Sequence, residues 1–136
     1  MKRCNFRPIH VYGMGDGKFS IWMNLERQIK AKKPFLIEAA SCIYIDDFKL
    51  AIKNILDNWQ SGIYNISYDF IRSADAIKSV YPEPFTAQEK LGPTGKPRGS
   101  LDSSKLLHTF NFNFKYKDYE STIRDYYKKY EDFRKK

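Results

Sequence analysis

Apolar positions along this chain switch repeatedly between a period of two and a period near 3.6, so strands and helices alternate. In "RPIHVYG" the β-branched Ile9 and Val11 fall on alternate positions and Gly13 closes the run, which predicts a short strand. After the loop "MGDGK", Trp22, Leu25 and Ile29 recur at spacings of three and four with Glu26, Arg27 and Lys30 between them. That spacing predicts an amphipathic helix over 19–33, closed by Pro34. "PFLIEA" and "CIYIDD" read as two more short strands, with Asp46 or Asp47 where a helix N-cap belongs. Phe48, Ala51, Ile52, Ile55, Leu56 and Trp59 then trace one apolar face of a second helix, Gly62 ends the connection, and "GIYNIS" restarts as a strand.

Beyond it, "SADAIKSV" predicts a short helix stopped by Pro82 and Pro84. Residues 81–100 are rich in proline and glycine and poor in apolar side chains, which predicts an irregular surface loop. "LDSSKLLHTF" reads as a short helix capped by Asp102 or Ser103, and Tyr119, Ile123, Tyr126, Tyr130 and Phe133 mark a terminal helix. The expected class is α/β: a small mixed sheet with about four helices, in one domain over 1–136.

Composition narrows the function classes. The 136 residues are 42% hydrophobic with 10 Tyr and 10 Phe, enough for one modest core. No apolar run approaches the roughly 20 residues that span a bilayer, and "MKRCNFRPIH" has no stretch that would serve as a signal peptide, so a cytoplasmic protein is expected. Cys4 and Cys42 form no C-x-x-C and no disulfide framework, which reads as reduced, partly buried thiols. The net charge of +8 is uneven: +6 over residues 1–34, −1 over 35–114 and +3 over 115–136. Basic ends around a near-neutral middle fit an anionic ligand, a nucleic acid or plain solubility.

The chemical motifs are mostly eliminated. A Walker A loop needs G-x-x-x-x-G-K followed by Ser or Thr, but Gly17 and Lys18 are followed by Phe19, and Tyr12 stands where the first glycine belongs. A dinucleotide fingerprint would need glycine at the position of Lys18. "GPTGKPRG" follows polar "TAQEK" and carries prolines where a helix should open. Two readings of "GMGDGKFS" stay open: a tight chain reversal, and an anion site built from free amides at a helix N-terminus beside Lys18 and Ser20. His10 and His108 have no Cys, Asp or Glu partner at metal-ligand spacing, so no metal site is expected. The tyrosines of the last helix read as a core stripe rather than a base-stacking surface.

The order of these segments resembles the C-terminal half of the extended short-chain dehydrogenase/reductases, the NAD-dependent epimerase/dehydratase family that acts on nucleotide sugars. "FRPIHVYGMGDG" looks like that family's "R-x-x-N-V-Y-G-P-G", with His10 in place of the asparagine, and "SIWMNLERQIKAKKPFLI" like its helix ending "G-x-P-L-x-V". "CIYIDDFKLAIKNIL" is similar to "F-V-Y-V-D-D-x-A-x-A-I", and "GIYNIS" to "G-x-Y-N-I-G". "KPRGSLDSSKLLHTFNF" resembles the "R-P-x-x-S-x-L-D-x-S-K-L" of the dTDP-4-dehydrorhamnose reductase branch.

The resemblance implies a substrate-binding domain without its N-terminal Rossmann half, which in the family carries the NAD or NADP loop and the catalytic Y-x-x-x-K. No tyrosine here has a lysine four positions later, so no catalytic residue and no cofactor-binding residue is assigned. Carried over position by position, Tyr12, Gly13, Gly15, Lys18 and Ser20 would lie beside the sugar and diphosphate, and Leu36, Ile37 and Glu38 along the base. Lys96 and Arg98 fall near the family's diphosphate-binding arginine. Another phosphate-contacting arginine of the family has Ala40 in its place, which would weaken diphosphate binding. The expected partners are a nucleoside diphosphate sugar and either a separate Rossmann-domain chain or a second copy. A small basic nucleic-acid-binding module and a degenerate, non-binding remnant are the rival readings.

Overall fold

The computed structural model describes residues 4–8, 10–15, 20–91 and 102–135. In chain order the elements are β1 (Cys4–Pro8), β2 (Val11–Tyr12), α1 (Ile21–Lys30), β3 (Phe35–Glu38), β4 (Ile43–Tyr44), α2 (Ile45–Asp57), β5 (Gly62–Ile66), α3 (Ala74–Val80), β6 (Ala87–Lys90), α4 (Ser104–Phe110) and α5 (Tyr119–Arg134). The class is α/β, as expected. Among the described residues the strands form three separate parallel pairs rather than one mixed sheet: β1 with β5, β2 with β4, and β3 with β6. Parallel neighbours need a crossover, and α1, α2 and α3 supply the helical part of these connections.

Several boundaries differ from the sequence reading for local reasons. The single strand expected in "RPIHVYG" is two strands, because His10 between them has a left-handed backbone, φ 45°. Helix α1 ends at Lys30 rather than at Lys33, closed by a Schellman turn. In it Lys33 N–H donates to the Gln28 carbonyl at 2.9 Å and Lys32 N–H to that of Ile29 at 3.1 Å, with Lys32 at φ 57°. Neither Asp46 nor Asp47 is an N-cap: α2 begins at Ile45, Tyr44 holds the cap position, and both aspartates lie in the first turn. The segment 81–100 contains β6, whose polar "AQEK" pairs in register with β3 from Phe35–Ala87 to Glu38–Lys90. An exposed edge strand needs no apolar alternation, which is why the pattern did not mark it.

The core is aromatic. Trp22 is fully buried, stacks on Tyr81 with ring centroids 6.2 Å apart and meets Tyr126 and Tyr127 edge-on. Leu25, Ile43, Ile55, Ile66, Ile77, Leu106 and Ile123 are buried in the same core. Helix α5 buries Tyr119, Thr122, Ile123, Tyr126 and Tyr130, whereas Phe133 near its end is exposed. The apolar face of α2 is likewise buried at Ala51 and Ile55 and exposed at Leu56 and Trp59. Asp118 caps α5 by accepting Ser121 N–H at 2.7 Å, and Ser73 caps α3 from Ala76 N–H at 3.3 Å. At α4 Asp102 accepts Ser104 N–H at 2.8 Å, while the Ser103 hydroxyl instead ties to the Ser67 backbone, accepting its N–H at 2.9 Å and donating to its carbonyl at 2.7 Å.

Candidate functional site

Strand β3 alternates as a half-buried strand should: Phe35 and Ile37 point into the core, while Leu36 and Glu38 face outward. Helix α1 packs beside it and presents Ile21, Asn24 and Arg27, three residues one helical turn apart on one face. β6 adds Lys90, directly opposite Glu38, and the segment between β5 and α3 adds Arg72. Together they line a groove of about 610 Å³, with Leu36 half exposed along its wall. Three cations face one carboxylate in it, which suits an anionic ligand with an apolar portion.

Arg72 is held firmly. Its N–H donates to the Ala40 carbonyl at 3.0 Å, and the neighbouring Ile71 forms an antiparallel bridge with Ser41. The guanidinium is largely buried, its Nη2 stands 3.9 Å from Glu38 Oε2, and its Nε is buried with no hydrogen-bond partner among the described residues. His10 lies close enough to feel both groups: burial lowers its pKa first and the Arg72 charge lowers it further, with Glu38 acting the other way.

The other residues expected at the site are placed differently. Tyr12 is buried and its hydroxyl is used in the core, where it accepts from the Cys42 thiol at 4.0 Å and pairs with Thr122 Oγ1 at 2.6 Å; Thr122 in turn donates to the Tyr119 carbonyl at 2.7 Å. Burial also pushes the Cys42 thiol up to about 12, so that thiol is inert packing. Gly13 has φ 145°, and a Cβ there would collide with Ile45. Ser20 is buried, accepts the Tyr126 hydroxyl at 3.2 Å, and with Gly15 lines a separate, mainly apolar pocket of about 260 Å³ against α5. The structure therefore brings Leu36, Ile37 and Glu38 together and leaves Tyr12, Gly13, Gly15 and Ser20 outside their groove. Lys18, Lys96 and Arg98 lie outside the described residues.

Sequence reasoning missed Asn24, Arg27, Arg72 and Lys90. The helical spacing from Ile21 could have flagged Asn24 and Arg27. Nothing in the local sequence marks Arg72, whose place depends on the segment after β5 pairing with residues 40 and 41, just beyond β3.

The fold has known counterparts. The enzyme WbmG of Bordetella bronchiseptica, in complex with NAD, superposes with a TM-score of 0.73 at 18% identity, over 96% of this chain and 44% of that one. ADP-L-glycero-D-manno-heptose-6-epimerase of Helicobacter pylori gives 0.71 at 20% identity over 94% and 44%. UDP-glucuronic acid 4-epimerase of Bacillus cereus, in complex with NAD and a fluorinated UDP-glucuronic acid, gives 0.71 at 17% identity over 96% and 45%. The chain thus has the fold of part of the NAD-dependent epimerases and dehydratases, the extended short-chain dehydrogenase/reductases, and spans less than half the length of these structures. No protein-family model and no curated protein matches the sequence. No described helix is long and apolar enough to cross a membrane.

Proposed function

We propose that this chain is the nucleotide-sugar-binding part of an NAD(P)-dependent epimerase, dehydratase or reductase, with the groove along β3 as its ligand site. The observation that carries this reading is the groove itself: an apolar wall at Leu36 and Ile21, amide functionality at Asn24, and the cations Arg27, Arg72 and Lys90, on a fold shared with enzymes of that class. A nucleoside diphosphate sugar offers the matching parts: a flat base, a doubly charged diphosphate and a polar sugar. The likeness of "KPRGSLDSSKL" to the pattern of the dTDP-4-dehydrorhamnose reductase branch supports a reading close to that branch.

For the NAD or NADP of such enzymes the sequence offers neither a dinucleotide fingerprint nor a Y-x-x-x-K. We assign cofactor binding and turnover to a Rossmann-domain partner, with this chain alone inactive. The surface supports that division: β1 pairs only with β5 among the described residues, and Phe6, Ile63, Leu56 and Trp59 are exposed. An unpaired parallel edge with apolar neighbours favours association.

Calorimetric titration with UDP- and dTDP-sugars, beside a short oligonucleotide at two salt concentrations, tests the reading. Saturable binding of a sugar nucleotide alone supports it. Oligonucleotide binding that falls steeply with salt would favour a nucleic-acid module, and no binding of either would favour a remnant.

A further inference from the structure

We propose that Arg72 is the phosphate-holding residue of the groove, a role no sequence pattern assigned to it. The proposal deepens the nucleotide-sugar reading and rests on it for the identity of the ligand, but the anion site itself stands on independent geometry. A guanidinium carries five N–H donors in a rigid fork, and a buried one is normally saturated by carboxylates, carbonyls or water. Arg72 departs from that norm: its Nε is buried without a partner among the described residues, and Glu38 stands at 3.9 Å, well beyond the 2.7–2.9 Å of a charge-assisted hydrogen bond. The carboxylate is near enough to keep the cation in place and too far to satisfy it.

The surroundings define what would satisfy it. Arg27 and Lys90 share the groove, so with Glu38 the lining carries a formal excess of two positive charges. That excess matches the two negative charges of a diphosphate diester, and the fork of Arg72 suits two oxygens of one phosphoryl group. The side chain is presented from a backbone fixed by the Ala40 carbonyl and the Ser41–Ile71 bridge, so the main chain needs no ordering on binding. That backbone bond sets Arg72 beside Ala40, the position at which the resemblance implies a phosphate-contacting arginine.

The test uses the wild-type chain with Arg72→Met and Arg72→Lys, titrated with UDP-glucose, uridine and inorganic pyrophosphate. Arg72→Met should weaken UDP-glucose about 10- to 100-fold and leave uridine within about twofold, while Arg72→Lys should fall between. In the wild-type protein the Arg72 Nε–H resonance should move on adding pyrophosphate, a readout that needs no variant to fold. Wild-type UDP-glucose affinity in Arg72→Met, or an unmoved Nε–H resonance in saturating ligand, overturns the role of Arg72 while the groove reading stands. Pyrophosphate binding that depends on Arg72, with no preference for UDP-glucose, keeps the anion site and removes the nucleotide-sugar reading. No binding of any of the three ligands overturns both.

Discussion

The buried Asp47 carboxylate accepts the Tyr68 hydroxyl at 2.6 Å, joining the first turn of α2 to the chain that leaves β5. The same carboxylate accepts the backbone N–H groups of Lys115, at 2.8 Å, and Tyr116, at 3.1 Å. One side chain thereby ties three segments together, including the approach to α5. Asp47→Ala strands three buried or half-buried donors, so we expect a loss of about 3 kcal/mol or more in urea denaturation, with Asp47→Asn recovering part of it. An unchanged midpoint in Asp47→Ala would show that these contacts are not formed in solution.

Gly13 and Gly15 separate two uses of glycine. Both have positive φ, 145° and 106°, but a Cβ at Gly13 meets Ile45 whereas one at Gly15 meets nothing within 4 Å. Gly13→Ala should therefore cost about 2–4 kcal/mol, from backbone strain plus a core clash, and Gly15→Ala about 1 kcal/mol from strain alone. Thermal unfolding of the two variants side by side measures the difference. Equal losses would mean that the collision with Ile45 is relieved by a small backbone shift.

Asp125 gives the fold an acid-sensitive joint. Burial by itself would raise its pKa, but the Tyr44 hydroxyl, donating at 2.8 Å, and the Lys129 ammonium at 3.0 Å overcome that and hold it below the usual carboxylate range. Because the folded pKa lies below the unfolded one, the stabilisation is complete above the unfolded value, about 3.9, and is lost as pH falls through the folded value. We expect Asp125→Asn to be less stable than wild type at pH 7 and to show a shallower loss of stability below pH ~4, read from urea midpoints across pH. Parallel curves would assign the acid sensitivity to other carboxylates. Lys129 also pairs with Asp46 at 2.9 Å, so the joint links α5 to α2.

What could be read from the sequence follows what is local. The face of α1 at Trp22 and Leu25, the α2 face at Ala51 and Ile55, and the α5 stripe through Tyr130 were all legible because helical burial repeats within a few residues. The polar edge strand β6 carried no pattern, and neither did the left-handed residues His10 and Lys32 that set strand and helix ends. Asp47 looked like a cap because its position suits one; only the return of residues 115 and 116 makes it a tertiary anchor. The groove was half legible: "FLIE" was singled out through a family resemblance, whereas Arg72 enters from 34 positions beyond Glu38, a relation no local spacing records.

The central claim is that the groove along β3 holds a nucleoside diphosphate sugar. The most direct measurement is an amide NMR titration of the isotopically labelled chain with UDP-glucose, repeated with Leu36→Asp, which puts a negative charge on the groove wall. We expect saturable shifts confined to β3, the first turns of α1, Lys90 and the residues around Arg72, and their loss in Leu36→Asp. Shifts centred instead on Gly15, Ser20 and the α5 pocket, or no saturable shifts at all, would contradict the account.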